Sequence, residues 1–130
     1  MSSKPTAGAV IFAKNPAKVA SFYEAVLAAS VERAESDLVV LAVGPFQLVI
    51  HTIPEPIAQG IELSDPPALR EETPIKLFFP VSSLAQARAT ASAFGGGLAP
   101  QTTEWSGPGF RACDGWDPEG NVVQLRQDQD

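Results

Sequence analysis

His51, Lys76, Arg111 and Gln124 are the side chains of this 130-residue sequence whose types and neighbours suit the handling of a small molecule. His51, the single histidine, closes the apolar run Phe46–Thr52. An imidazole there can orient a ligand, carry a proton, or sit at a strand end hydrogen-bonded to backbone. Lys76 stands between Ile75 and Leu77, and a lysine among apolar neighbours snorkels, pairs with an acid or meets a ligand. Arg111, within Phe110-Arg111-Ala112-Cys113, either pairs with Glu104 or clamps an anion through its fork of donors, and its face stays open at this point. Trp105 and Trp116 read as loop residues flanking Phe110–Asp114, where large rings line a cleft or seal an interface. Two familiar chemistries are missing. Cys113 has no base at a defined spacing and no helix start beside it, so it reads as a small buried hydrophobe. Gly95-Gly96-Gly97 follows a helix instead of preceding one, which makes it a helix stop and not a phosphate cradle.

The elements that must position these residues come in a repeated order. Ala7–Ala13 is apolar on both faces and stops at Lys14-Asn15-Pro16, a buried strand followed by a helix whose cap is Asn15 and whose first position is Pro16. Val19, Phe22, Tyr23, Val26 and Leu27 then recur at helical spacing over 16–29. Extended pieces follow at 31–34, 38–43 and 46–52. The stretch 54–73, rich in proline and acids, reads as a linker. The order then restarts: a strand at 75–81, a helix from the cap Ser83 through Phe94 with Leu84, Ala87, Ala91 and Phe94 inward, and extended pieces at 98–103, 110–114 and 121–126. Ala13-Lys14-Asn15 aligns with Val81-Ser82-Ser83, so the chain is a duplication of β-α-β-β-β, with module one at 5–53 and module two at 74–127. Strand alternation turns Gly8, Val10 and Phe12 inward in one module and Lys76, Phe78 and Pro80 inward in the other, with Ile75, Leu77, Phe79 and Val81 packed outward. Each module leaves one sheet face bare, so the halves must cover each other or a partner chain.

Composition narrows the partners. The 9 basic and 15 acidic residues sum to −6, and the acidic excess is concentrated in 35–75, where seven acids face Arg70 alone. Such a chain repels phosphate backbones, and nucleic acid is not expected as a partner. Apolar runs such as Leu38–Val43 are far shorter than the ~20 residues that cross a bilayer, so no membrane span is expected. The start of the chain, with Lys4 and a short apolar run, lacks the pattern of a secretory signal. With a single cysteine, this predicts a cytoplasmic protein.

The duplicated β-α-β-β-β unit resembles the vicinal oxygen chelate superfamily, which includes glyoxalase I, extradiol dioxygenases and the fosfomycin and bleomycin resistance proteins. Two stretches carry the likeness: Asn15 to Tyr23, with its amide cap and Phe-Tyr pair, and Asp117-Pro118-Glu119-Gly120-Asn121-Val122-Val123-Gln124-Leu125. The resemblance implies an α+β fold of curved mixed sheets around a cleft, with helices on the outer faces and modules paired within or across chains, hence a homodimer. It also implies four inward metal-ligating positions, which fall here on Gly8, Val49, Lys76 and Gln124. A transition metal needs three or four imidazole, carboxylate or thiolate donors, and of these four only Gln124 offers one readily; His51, two residues past Val49, does not complete a set. No metal and no cofactor are therefore expected. The expected function is binding of a small organic molecule in the inter-module cleft, between aromatic walls (Phe12, Phe78, Trp105, Trp116) and polar anchors (His51, Lys76, Arg111, Gln124). The alternatives are a metal-dependent lyase or dioxygenase, a metal-free isomerase using His51 as base, and an interaction module whose cleft is filled.

Overall fold

The computed structural model describes residues 6–129. The expectation drawn from Lys4, and Pro5 at the start of module one, lie outside them. Module one holds β1 (Gly8–Ala13), α1 (Pro16–Leu27), β2 (Ser30–Ala34), β3 (Leu38–Val43) and β4 (Phe46–Thr52), in the sheet order β1-β4-β3-β2. β1 runs parallel to β4, and the remaining pairs are antiparallel. Asn15 caps α1 by accepting from the Lys18 amide, as its position before Pro16 requires. Between the modules lie a short helix, α2 (Glu55–Ala58), and a single bridge from Arg70 to Asn121.

Module two repeats the plan with β5 (Phe78–Val81), α3 (Leu84–Ala93), β6 (Gly97–Leu98), β7 (Trp105–Gly107), β8 (Phe110–Trp116) and β9 (Val122–Asp128). β5 pairs with β9 in parallel, β9 with β8, and both β6 and β7 with β8. Several expectations are corrected. The strand expected over 75–81 begins at Phe78, and Ile75, expected to pack outward, is exposed. The piece at 98–103 is two residues of β6 followed by a 3-10 turn at Gln101–Thr103. Trp105 and Trp116, expected in loops, are strand residues of β7 and β8, because β8 continues two residues past Asp114 and pairs with a short strand that polar and glycine residues concealed. Phe94 is also more exposed than its place in the helical pattern implies, since α3 ends one residue before it. Pro80 costs no ladder bond, because β5 is an edge strand.

Helices α1 and α3 pack on one continuous core. Leu41, Leu48 and Ile50 from the first sheet, Phe22 and Tyr23 from α1, and Phe79, Cys113 and Leu125 from the second sheet belong to it. Tyr23 and Phe46 both meet the Phe79 ring, at 6.2 and 5.9 Å between centroids, which joins the modules through aromatic contacts. The opposite faces of the two sheets are left open: Val10 and Phe12 are exposed on the first, and Phe78 and Trp105 on the second.

Candidate functional site

The open face of the second sheet gathers five of the residues singled out by sequence. In register, Phe78 and Asp114 flank Gln124, Ala112 lies beside Arg126, and Trp116 lies beside Val122. These pairs share a face because cross-strand partners point the same way. Trp105, opposite Ala112, leans edge-on against Phe110 with 5.5 Å between ring centroids. Lys76 reaches the same face, its ammonium 3.0 Å from Asp114 Oδ2. Leu69, Glu71, Lys76, Ala99, Asp114, Trp116 and Val122 enclose a recess of about 280 Å³ at one end.

Arg126 was missed by sequence reasoning. Its guanidinium lies 3.6 Å from the Phe78 ring centroid and 4.2 Å from that of Phe110, between the two rings. Its Nε donates to Gln124 Oε1 at 2.7 Å. The signal was available: Gln124 and Arg126 are two apart on one strand, so whatever face holds the amide holds the cation.

Phe12 and His51 occupy the corresponding face of the first sheet, as cross-strand partners with ring centroids 5.8 Å apart. His51 Nδ1 is 2.8 Å from the Thr52 carbonyl oxygen. A carbonyl only accepts, so a neutral ring in this geometry carries its proton on Nδ1 and keeps its lone pair on Nε2. Beside Phe12, a groove of about 400 Å³ runs between β1 and the segment that enters β5, lined chiefly by Val10, Phe12, Ile75, Leu77 and Val122, with Arg70 at its polar side.

Arg111 does not join this set. It faces α3, in line with Cys113, and its Nε donates to Glu104 Oε1 at 2.7 Å while Arg88 Nη2 donates to Glu104 Oε2 at 2.6 Å. Gln127, its partner on β9, confirms the side by accepting from the Leu84 amide at the start of α3. The two guanidinium groups hold the Glu104 carboxyl below the usual carboxylate range, through the hydrogen bond from Arg111 first and that from Arg88 second. Cys113 is buried, with its thiol donating to the Ala99 carbonyl.

The donors at the four implied metal positions do not fit a transition metal. A Cβ at Gly8 would lie 2.3 Å from the Gln47 carbonyl oxygen, so no ligating side chain fits there without backbone movement. Val49 offers no donor, the Lys76 ammonium occupies the side of the site that Asp114 could serve, and the Gln124 oxygen is taken by Arg126. Among the described residues, no three His, Cys, Asp or Glu side chains converge.

Comparison with known proteins accords with the fold. Residues 8–126 match the family described as Glyoxalase-like domain, and the chain belongs to that family, within the vicinal oxygen chelate superfamily. No curated protein matches the sequence. Among solved structures, a glyoxalase/bleomycin resistance protein/dioxygenase family enzyme from Burkholderia phytofirmans PsJN superposes with a TM-score of 0.69 at 17% identity, over 95% of this chain and 98% of that one. A glyoxalase-related enzyme from Fulvimarina pelagi gives 0.66 at 15% identity, over 96% and 88%. A variant of the fosfomycin resistance protein FosX from Listeria monocytogenes, complexed with Mn(II) and 1S,2S-dihydroxypropylphosphonic acid, gives 0.64 at 16% identity, over 99% and 93%.

Proposed function

We propose that this glyoxalase-like protein binds a small organic molecule on its open sheet faces without a metal centre. The observation that carries this reading is the state of the four implied ligand positions: one has no room for a side chain, one is apolar, one is a lysine salt-bridged to Asp114, and the last is an amide engaged by Arg126. Around those positions the open faces present rings and directed polar groups, the usual makeup of a small-molecule site. The exposure of Phe12 and Phe78, 55% and 57%, runs against a cleft filled by the protein's own side chains. His51 Nε2 and the Arg126 guanidinium are the polar groups a ligand would meet.

A second copy of the chain is the proposed cover for the part of these faces around Val10, Phe12 and Ile75, which leaves the end at Phe78 and Trp105 open to a ligand. Val10, Phe12 and Ile75 are all large, apolar and exposed, a combination that monomers seldom leave in water.

The test is metal analysis beside ligand screening. Protein purified without chelator is expected to hold less than stoichiometric transition metal, and its thermal midpoint is expected not to move with Mn(II) or Zn(II), whereas a small aromatic compound quenches tryptophan fluorescence saturably. Full occupancy by a transition metal held by this chain's side chains overturns the metal-free reading; a ligand screen in which no compound alters tryptophan emission overturns the binding reading.

A further inference from the structure

Arg126 is placed unusually for a structural arginine. Among the described residues it meets no carboxylate within salt-bridge distance, although the protein carries 15 acids against 9 bases. Arg33, Arg88 and Arg111 each have an acidic partner; Arg70, which also has none among the described residues, lies at the groove beside β1 and meets no ring. Arg126 has two rings instead, Phe78 and Phe110, with the guanidinium 3.6 and 4.2 Å from their centroids. Stacking of this kind holds the plane without neutralising it, because the ring quadrupole stabilises the cation and leaves its charge in place. The Gln124 oxygen takes Nε, which fixes the rotation of the fork and leaves the two Nη groups as the donors not engaged by side chains of the described residues. Lys76, the other cation of this face, is already neutralised by Asp114. The stack opens to solvent, since Phe78 and Trp105 are 57% and 46% exposed.

From this we infer that the site takes an organic anion with a flat apolar body, and that Arg126 is the residue that selects the charge. A carboxylate, sulfonate or phosphonate would accept from the Nη groups, and the body would lie along the ring surface of Phe78, Phe110 and Trp105. An arginine fork suits this role because it presents parallel donors to an anion with little further loss of freedom. Stacking on the flanking rings lowers that loss again. The inference rests on the small-molecule reading above and adds the ligand's charge, which the net charge of −6 taken alone would have assigned the opposite sign.

The experiment compares two dyes with the same ring body, 1-anilinonaphthalene-8-sulfonate, which is anionic, and N-phenyl-1-naphthylamine, which is neutral. Each is titrated into the full chain, with energy transfer from tryptophan as the readout. The wild-type protein is expected to bind the sulfonate at least about tenfold more tightly than the amine, the scale of one charge-assisted contact. Arg126→Gln is expected to bring the two dyes together by weakening the sulfonate alone, and Arg126→Lys to recover part of the gap. Far-UV circular dichroism and the melting midpoint establish that each variant is folded, and the Lys variant keeps the test decisive if the Gln variant is not. Equal affinities in the wild type, or a gap that persists in both variants, overturn the role of Arg126 and the anionic ligand while leaving the binding face intact. Absence of saturable binding by either dye overturns the reading of the face itself.

Discussion

Asp117 and Glu119 are buried charged residues, and each accepts at least one hydrogen bond from the other module. Asp117 Oδ2 accepts from Tyr23 Oη and from Asn121 Nδ2, both at 2.8 Å, while Oδ1 accepts from the Glu119 and Asn121 amides. Glu119 accepts from the amides of Lys14 and Asn15, at 2.8 and 2.7 Å, where β1 turns into α1. The Asp-Pro-Glu-Gly loop that signals the family is thus a clamp between modules. Removing the phenol in Tyr23→Phe leaves Asp117 one donor short and is expected to cost about 1–3 kcal/mol in urea denaturation. Glu104 supplies a pH-dependent stability. Its folded pKa is depressed by Arg111 and Arg88, so its contribution is present above the unfolded value of about 4.3 and is lost as pH falls through the folded value. Glu104→Gln is expected to lower stability at pH 7 by about 1–3 kcal/mol, with the deficit shrinking as wild type and variant are both taken toward pH 3. Asp117 acts with the opposite sign: burial raises its pKa despite its hydrogen bonds. Ionising it therefore works against the fold as pH rises, which makes the acid limb shallower than Glu104 alone would produce.

At the scale of elements, the segment between modules is fastened to the second one at a glycine. The Arg70 amide donates to the Gly120 carbonyl at 2.8 Å, and Arg70 and Asn121 form a bridge. Gly120 has φ of +85°, and a Cβ there would lie 2.0 Å from the Ala68 carbonyl oxygen. Gly120→Ala is therefore strained in the backbone and blocked in space, and is expected to lose about 1–3 kcal/mol or more of stability. Faster hydrogen exchange at the Arg70 amide would show that the fastening is what gave way. Helices α1 and α3 and strands β3 and β4 were legible because their patterns are long and their apolar positions recur at 3.6 or 2 residues, whereas the four-residue α2 lay hidden in the stretch read as a linker. β7 was not, because Trp105-Ser106-Gly107 has no periodicity to detect and exists as a strand only through its partner β8.

For the whole molecule, the shared core buries the helix faces and leaves the other sheet faces to water. The proposed homodimer is checked by sedimentation, where a particle of about twice 13.7 kDa is expected, and where Phe12→Asp is expected to shift the population to monomer by placing a charge on the exposed patch. A monomer at every accessible concentration would refute the second copy as cover. No helix of the described residues is long and apolar enough to cross a membrane.

The duplicated order of strands and helices, the two caps and the family could all be read from the chain alone, because each depends on residue type and local spacing. Tertiary structure alone decided that Arg111 turns to the helix side and pairs with Glu104, that Lys76 finds Asp114 and that Arg126 rests between Phe78 and Phe110. The reason is physical. A charged side chain's role is set by which partners other strands bring within a few ångströms, and strand register joins residues that lie tens of positions apart in sequence.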